Sequence, residues 1–198
     1  MRFAAIDIGS NAVRLLIADI IDKENNIIYT KNTLLRVPLR LGDDAFIDKR
    51  ISKSKFDDMV KTMHAFRNLM DVYKVTEYMA CATSAMRDSD NGSEVVKACS
   101  EVGIDIQIIE GAVEAQIIFN SHLRDTIDKD KVYLYIDVGG GSTEISLFAN
   151  GQLVSSRSFN LGTIRILDNQ DSPETWDEMR RWVKEVTKGH KNIYGIGT

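Results

Sequence analysis

The sequence predicts an α/β protein made of two copies of one domain, each built on a mixed sheet, with the second copy apparently truncated. Three observations predict it. Ile6-Asp7-Ile8-Gly9-Ser10-Asn11 near the start and Ile136-Asp137-Val138-Gly139-Gly140-Gly141-Ser142-Thr143-Glu144 later carry the same pattern, with the two Asp 130 residues apart. Each stands between an apolar run that ends at the Asp and another that begins just after the turn. Three strands open the chain, and the same three-strand pattern restarts after residue 131.

Phe3 to Ile8 reads as the first strand, Val13 to Ile21 as the second, and Ile27 to Val37 as the third beyond a Glu24-Asn25-Asn26 turn. Arg40-Leu41-Gly42-Asp43-Asp44 reads as a polar connection. Ser54 to Tyr73 is the clearest helix, with Phe56, Met59, Val60, Met63, Phe66, Met70 and Tyr73 at helical spacing, and its methionines read as core. Thr76 to Ala82 is a buried strand that enters the Thr83-Ser84-Ala85-Met86-Arg87-Asp88 turn. Ser93 to Val102 is helical up to Gly103, Ile104 to Ile109 is a short strand, and Glu110-Gly111 opens a helix through Leu123.

The charged segment Arg124 to Lys131 reads as a solvated linker, so one domain is placed over 1–124 and a partial second over 125–198. Strands follow at Val132 to Val138, Glu144 to Phe148 and Leu153 to Phe159, the last two joined by an Asn150-Gly151 hairpin turn. Ser172 and Pro173 cap and open a helix to about Lys188, and Ile193 to Ile196 is one more strand. Against the first copy, a final helix, strand and helix are expected to be lacking, leaving an unfinished sheet with pressure toward pairing.

Composition narrows the function classes. Hydrophobic residues at 43% and charged ones at 27% are ordinary for a globular protein, and a net charge of −4 argues against a bulk nucleic-acid binder. Cys81 and Cys99 lack metal-ligand spacing and read as buried free thiols in a reducing compartment, while the three histidines are scattered. Asp7 interrupts the first apolar run and no stretch reaches membrane-spanning length, so a cytoplasmic location is the expectation.

The repeated loop carries the chemistry. A strand ending in Asp that turns through Gly and small hydroxyl residues presents backbone N–H groups to an anion, and the Asp can hold a cation beside it. Two such loops facing one another would grip a phosphate chain. For the Asp pair the alternative is a structural turn. Arg87 suits bidentate phosphate contact or pairs with Asp88 or Asp90 on the surface. Ser142 and Thr143 either cap the turn or donate to phosphate, and Glu144 belongs either to the site or to the sheet surface. Glu114, in the first turn after Gly111 with Ile117 and Ile118 expected on its face, either complements the helix dipole or acts in chemistry at the edge of an apolar surface.

The doubled Asp-x-Gly loop resembles the ribonuclease-H-like domains of the actin-like ATPase and sugar-kinase superfamily. Within it, Asp7 to Asn11, Thr83 to Arg87, Gly111-Ala112-Val113-Glu114-Ala115 and Asp137 to Glu144 resemble, in order, the exopolyphosphatase and guanosine pentaphosphate phosphohydrolase family. That resemblance implies Mg²⁺-assisted release of orthophosphate from the end of polyphosphate or of guanosine pentaphosphate, and dimers. Glu114 would be the base for water attack, Asp137 with Asp7 would organise the metal, and Arg87 would neutralise developing charge. Ser10, Asn11, Gly139, Gly140, Gly141, Ser142, Thr143 and Glu144 would contact substrate. Val113 replaces the first of two adjacent Glu that the family carries there. The alternatives are a phosphate- or nucleotide-sensing module without turnover and an ATP-dependent kinase of the same superfamily.

Overall fold

The structure, a computed structural model, describes residues 1–23, 26–118 and 128–197. It contains two compact units, Met1–Ile108 and Ile109–Thr198.

In the first unit, β1 (Arg2–Ile8), β2 (Val13–Lys23) and β3 (Asn26–Val37) form an antiparallel meander. Strands β4 (Glu77–Ala82) and β5 (Gln107–Ile108) then add in parallel beside β1, giving the order β3-β2-β1-β4-β5. Strand β1 alternates, with Ala4, Ile6 and Ile8 turned into the core. Helix α2 (Lys53–Val72) buries Met59, Met63, Phe66 and Met70, so the methionine stripe is core. Ser52 caps its start by accepting from the Lys55 N–H. Helix α4 (Gly92–Glu101) buries Val95 and Cys99. Burial pushes the Cys99 thiol up to about 12, whereas Cys81 is only partly buried, against the expectation for it.

The second unit repeats the plan. Strands β6 (Val132–Val138), β7 (Thr143–Ala149) and β8 (Gln152–Phe159) form the meander, and β9 (Ile193–Gly197) adds in parallel beside β6, giving β8-β7-β6-β9. Asn150 and Gly151 both take positive φ at the β7–β8 hairpin, as that two-residue turn requires. One sheet face carries Ile145 and Phe159, with Leu161 beside them, against Trp176, Met179, Trp182 and Val183 of α7 (Pro173–Val186). Ser172 caps α7 through the Thr175 N–H, with Pro173 in its first turn. The opposite face is covered by α5 (Gly111–Ile118). Gly111 lies so close to Ser158 of β8 that a methyl group there would overlap it.

Three short helices sit where loops or turns are expected: α1 (Leu41–Ile47), α3 (Ser84–Arg87) and α6 (Thr163–Leu167). Helices α1 and α6 occupy the same place in the two units, each following the third strand of its meander. The expected strand over 104–109 contracts to the two residues of β5, with Ile104 and Ile106 buried ahead of it. The predicted helix through Leu123 is described only to Ile118, and the boundary drawn at 124/125 lies outside the described residues, as does the first half of the charged linker. Among the described residues no helix is long and apolar enough to cross a membrane.

Candidate phosphate-binding loops and active site

Both Asp-x-Gly loops close with the same turn. The Gly9 N–H donates to the Ala12 carbonyl at 3.1 Å, and the Gly139 N–H to the Ser142 carbonyl at 2.9 Å. The flanking ladders match as well, with Asp7 opposite Arg14 and Asp137 opposite Glu144.

Neighbouring short helices then hold the loop carbonyls. In the second unit the Thr163 N–H donates to the Gly139 carbonyl (3.0 Å), the Ile164 N–H to Gly140 (2.8 Å) and the Arg165 Nε–H to Gly141 (2.6 Å). A trans peptide directs its C=O and N–H to opposite sides. Holding the carbonyls of 139, 140 and 141 on α6 therefore aims the N–H groups of Gly140, Gly141 and Ser142 the other way. Those three amides have no hydrogen-bond partner among the described residues, although Gly141 and Ser142 are buried. Consecutive unpartnered amides on a fixed turn form an anion-binding concavity. In the first unit the Arg40 and Gly42 N–H groups donate to the Asn11 and Ser10 carbonyls, both at 2.9 Å, and Arg40 takes a left-handed φ of 50°.

The glycines act through space rather than through handedness. Gly9, Gly139, Gly140 and Gly141 all keep negative φ. Gly162, the N-cap of α6, passes so close to the Gly140 and Gly141 backbone that a side chain there would overlap it.

Glu144 is 3% exposed, and its Oε1 accepts from the Ser158 hydroxyl at 2.7 Å. It projects from the sheet face that α5 covers, so its carboxylate lies beside Gly111 at the start of that helix, where the dipole favours a negative charge. Asp137, opposite it on β6, shares the face and is half-buried. Glu114 follows Gly111 by one turn, about 4.5 Å along the axis. It is half-buried, its Oε2 is enclosed, and its N–H donates to the Glu110 carbonyl at 3.0 Å. One face of the second unit thus carries Asp137, Glu144 and Glu114. Ile117 does not share that packed side and is 42% exposed, because α5 turns Gly111 and Ala115 inward. Val113, the departure from the family pattern, is also on the exposed side at 48%. The Ile118 side chain lies outside the described residues.

Asp7 pairs with Arg14 at 2.7 Å, both side chains about half exposed. Ser10 is 4% exposed, and its hydroxyl shares a 2.9 Å hydrogen bond with that of Ser84, tying the first loop to the start of α3. Asn11 is exposed. Arg87 ends α3, with Nε 3.7 Å from Asp88 Oδ1, and is largely enclosed. The Thr143 hydroxyl donates to the Leu161 carbonyl at 2.5 Å, whereas Ser142 is buried at the loop tip. Sequence reasoning missed α1, α6, Gly162 and Arg165. A lone Arg inside Ile164-Arg165-Ile166-Leu167 was the available signal for the last.

Among the described residues no group of three His, Cys, Asp or Glu side chains could hold a metal ion by itself. Mg²⁺ commonly takes one or two carboxylates and completes its shell with phosphate and water. Neighbouring Asp137 and Glu144 fit that pattern.

A mixed sheet with an Asp-x-Gly turn, present once in each of two units, defines a duplicated α/β class of protein. Within that class the chain belongs to the Ppx/GppA phosphatase family, whose model matches residues 20–198. It is 33% identical to a bifunctional 3-dehydroquinate synthase/phosphatase of Fusobacterium nucleatum, with 93% of this chain and 30% of that protein aligned. It is 29% identical to exopolyphosphatase 1 of Mycobacterium tuberculosis, over 98% of this chain and 52% of that protein. The chain therefore spans about a third to a half of these relatives. Among solved structures, an exopolyphosphatase from Cytophaga hutchinsonii superposes with a TM-score of 0.77 at 25% identity, covering 98% of this chain and 66% of that one. The Aquifex aeolicus Ppx/GppA family member gives 0.76 at 24%, covering 100% and 66%.

Proposed function

We propose that the chain carries phosphate-binding and catalytic groups of a phosphohydrolase that releases orthophosphate from the end of inorganic polyphosphate or of guanosine pentaphosphate. The observation that carries the reading is the set of three amides at Gly140, Gly141 and Ser142, without partners among the described residues, at the end of the strand that bears Asp137. Membership of the Ppx/GppA family and similarity to proteins named exopolyphosphatase support the reaction class.

In this mechanism the three amides, with the Ser142 hydroxyl, bind phosphate oxygens and orient the terminal group. Glu114, beside Asp137 and Glu144, accepts the proton of the attacking water. Asp137 would hold a divalent cation, with Glu144 next to it, and that cation would supply charge neutralisation on the phosphates. Asp7 with Ser10 and Asn11 supplies the corresponding turn in the first unit, and Arg87 offers a cation to phosphate. Positioning and electrostatic stabilisation account for most of the acceleration in phosphoryl transfer.

Phosphate release from long-chain polyphosphate, guanosine pentaphosphate and ATP, followed in parallel with Mg²⁺, tests the proposal. Release from either of the first two is expected. Saturable binding of both without release would select a sensing module instead, and phosphoryl transfer from ATP to an acceptor would select a kinase.

A further inference from the structure

Arg165 is 5% exposed, although it stands on a five-residue helix among Ile164, Ile166 and Leu167. A buried guanidinium is costly unless its donors are used, and its Nε–H donates to the Gly141 carbonyl at 2.6 Å. That carbonyl belongs to the peptide whose N–H is the Ser142 amide. The neighbouring carbonyls of Gly139 and Gly140 are held by backbone N–H groups of Thr163 and Ile164, which any residue would supply. The third is held by a side chain. In the first unit the carbonyls of Asn11 and Ser10 are held instead by backbone N–H groups, of Arg40 and Gly42.

We infer that Arg165 is a positioning residue for the phosphate loop, fixing the Gly141–Ser142 peptide so that its amide faces the bound anion and placing a buried positive charge behind it. The inference rests on the reading of this loop as a phosphate site. Lysine would keep the charge but lacks the planar Nε–H geometry, so the two contributions separate.

The test uses Arg165→Met and Arg165→Lys in the full chain, with thermal unfolding, calorimetric titration by tripolyphosphate and Mg²⁺, and NMR relaxation of the Gly140, Gly141 and Ser142 amides without ligand. Arg165→Met is expected to weaken tripolyphosphate binding by about 10-fold or more, the scale of a lost hydrogen bond to a charged group, and to loosen the Ser142 amide. Arg165→Lys should bind at an intermediate strength. Wild-type affinity and amide order in both variants would overturn the inference. If Arg165→Met fails to fold, Arg165→Lys decides: a loosened Ser142 amide at wild-type stability supports the role, and wild-type order or failure to fold overturns it. If the wild type binds no tripolyphosphate, the functional proposal fails, while the relaxation data still decide what Arg165 does.

Discussion

The two Asp-x-Gly loops share a backbone and differ in charge. Each closes by a Gly N–H bonded to the carbonyl three residues on, and each has carbonyls held by the short helix after the third strand. Opposite Asp7 stands Arg14, which pairs with it; opposite Asp137 stands Glu144, a second acid, nearly buried. The first loop is locally neutral. The second gathers carboxylates on one face. The turn is common to both units while the cross-strand position differs, Arg14 against Glu144; under the proposed function, that difference would separate a loop that holds phosphate from one that also recruits metal.

If the second unit carries the chemistry, Glu114→Gln should lower the rate of phosphate release by about 10²–10⁴-fold while tripolyphosphate affinity stays near wild type, because the amide keeps the shape and loses the basicity. Wild-type turnover would remove Glu114 as the base and erase the functional asymmetry between the units. A gentler break uses glycine. A methyl group at Gly162 overlaps the Gly140 carbonyl, whereas one at Gly9 meets the Ala12 carbonyl at an ordinary 3.4 Å. Gly162→Ala should therefore lower stability by about 1–3 kcal/mol and weaken tripolyphosphate binding, with Gly9→Ala within about 0.5 kcal/mol of wild type. Equal effects by denaturant titration would mean that α6 does not clamp its loop.

Charge supplies a subtler contrast. Arg14→Gln breaks a half-exposed pair and should change the unfolding midpoint little, the pair contributing at most about 1 kcal/mol. Glu144→Gln should instead improve tripolyphosphate binding in chelator and diminish the gain on adding Mg²⁺. An unchanged Mg²⁺ dependence would show that the second acid plays no part in cation recruitment. The smallest effect concerns acid stability in the first unit. The hydrogen bond from Arg2, aided by one from Asn32, lowers the Asp19 carboxyl from its ordinary 3.8 to about 2. Its stabilising contribution is present above pH 3.8 and lost as pH falls toward 2. Asp19→Asn should flatten the pH dependence of the unfolding midpoint in that window, and an unaltered slope would contradict the assignment.

The strands, the two loops and the long helices were legible because their signals are local. Alternation sets β1, the methionine stripe sets α2, and Ser172-Pro173 sets the start of α7. Helices α1 and α6 were not legible. Thr163-Ile164-Arg165-Ile166-Leu167 is rich in β-branched residues, and α1 follows a left-handed Arg40 through Gly42, so neither carries a helical period or cap. Their placement depends on carbonyls that lie distant in sequence. The candidate site shows the same limit: the Asp and the first Gly of each loop repeat in the sequence, whereas Glu144 stands where the first copy has Arg14, and what orients these groups is set by distant contacts. The close approach at Gly162 is likewise set by tertiary packing, which no local pattern announces.

The central claim, that the second loop holds phosphate through amides aimed outward by α6, is tested most directly by titrating the protein with tripolyphosphate and Mg²⁺ while following backbone amide chemical shifts. The Gly140, Gly141 and Ser142 amides should show the largest saturable shifts in the second unit, while the Gly139 amide, already bonded to the Ser142 carbonyl, moves less. Saturable binding that leaves those three amides unmoved would contradict the account.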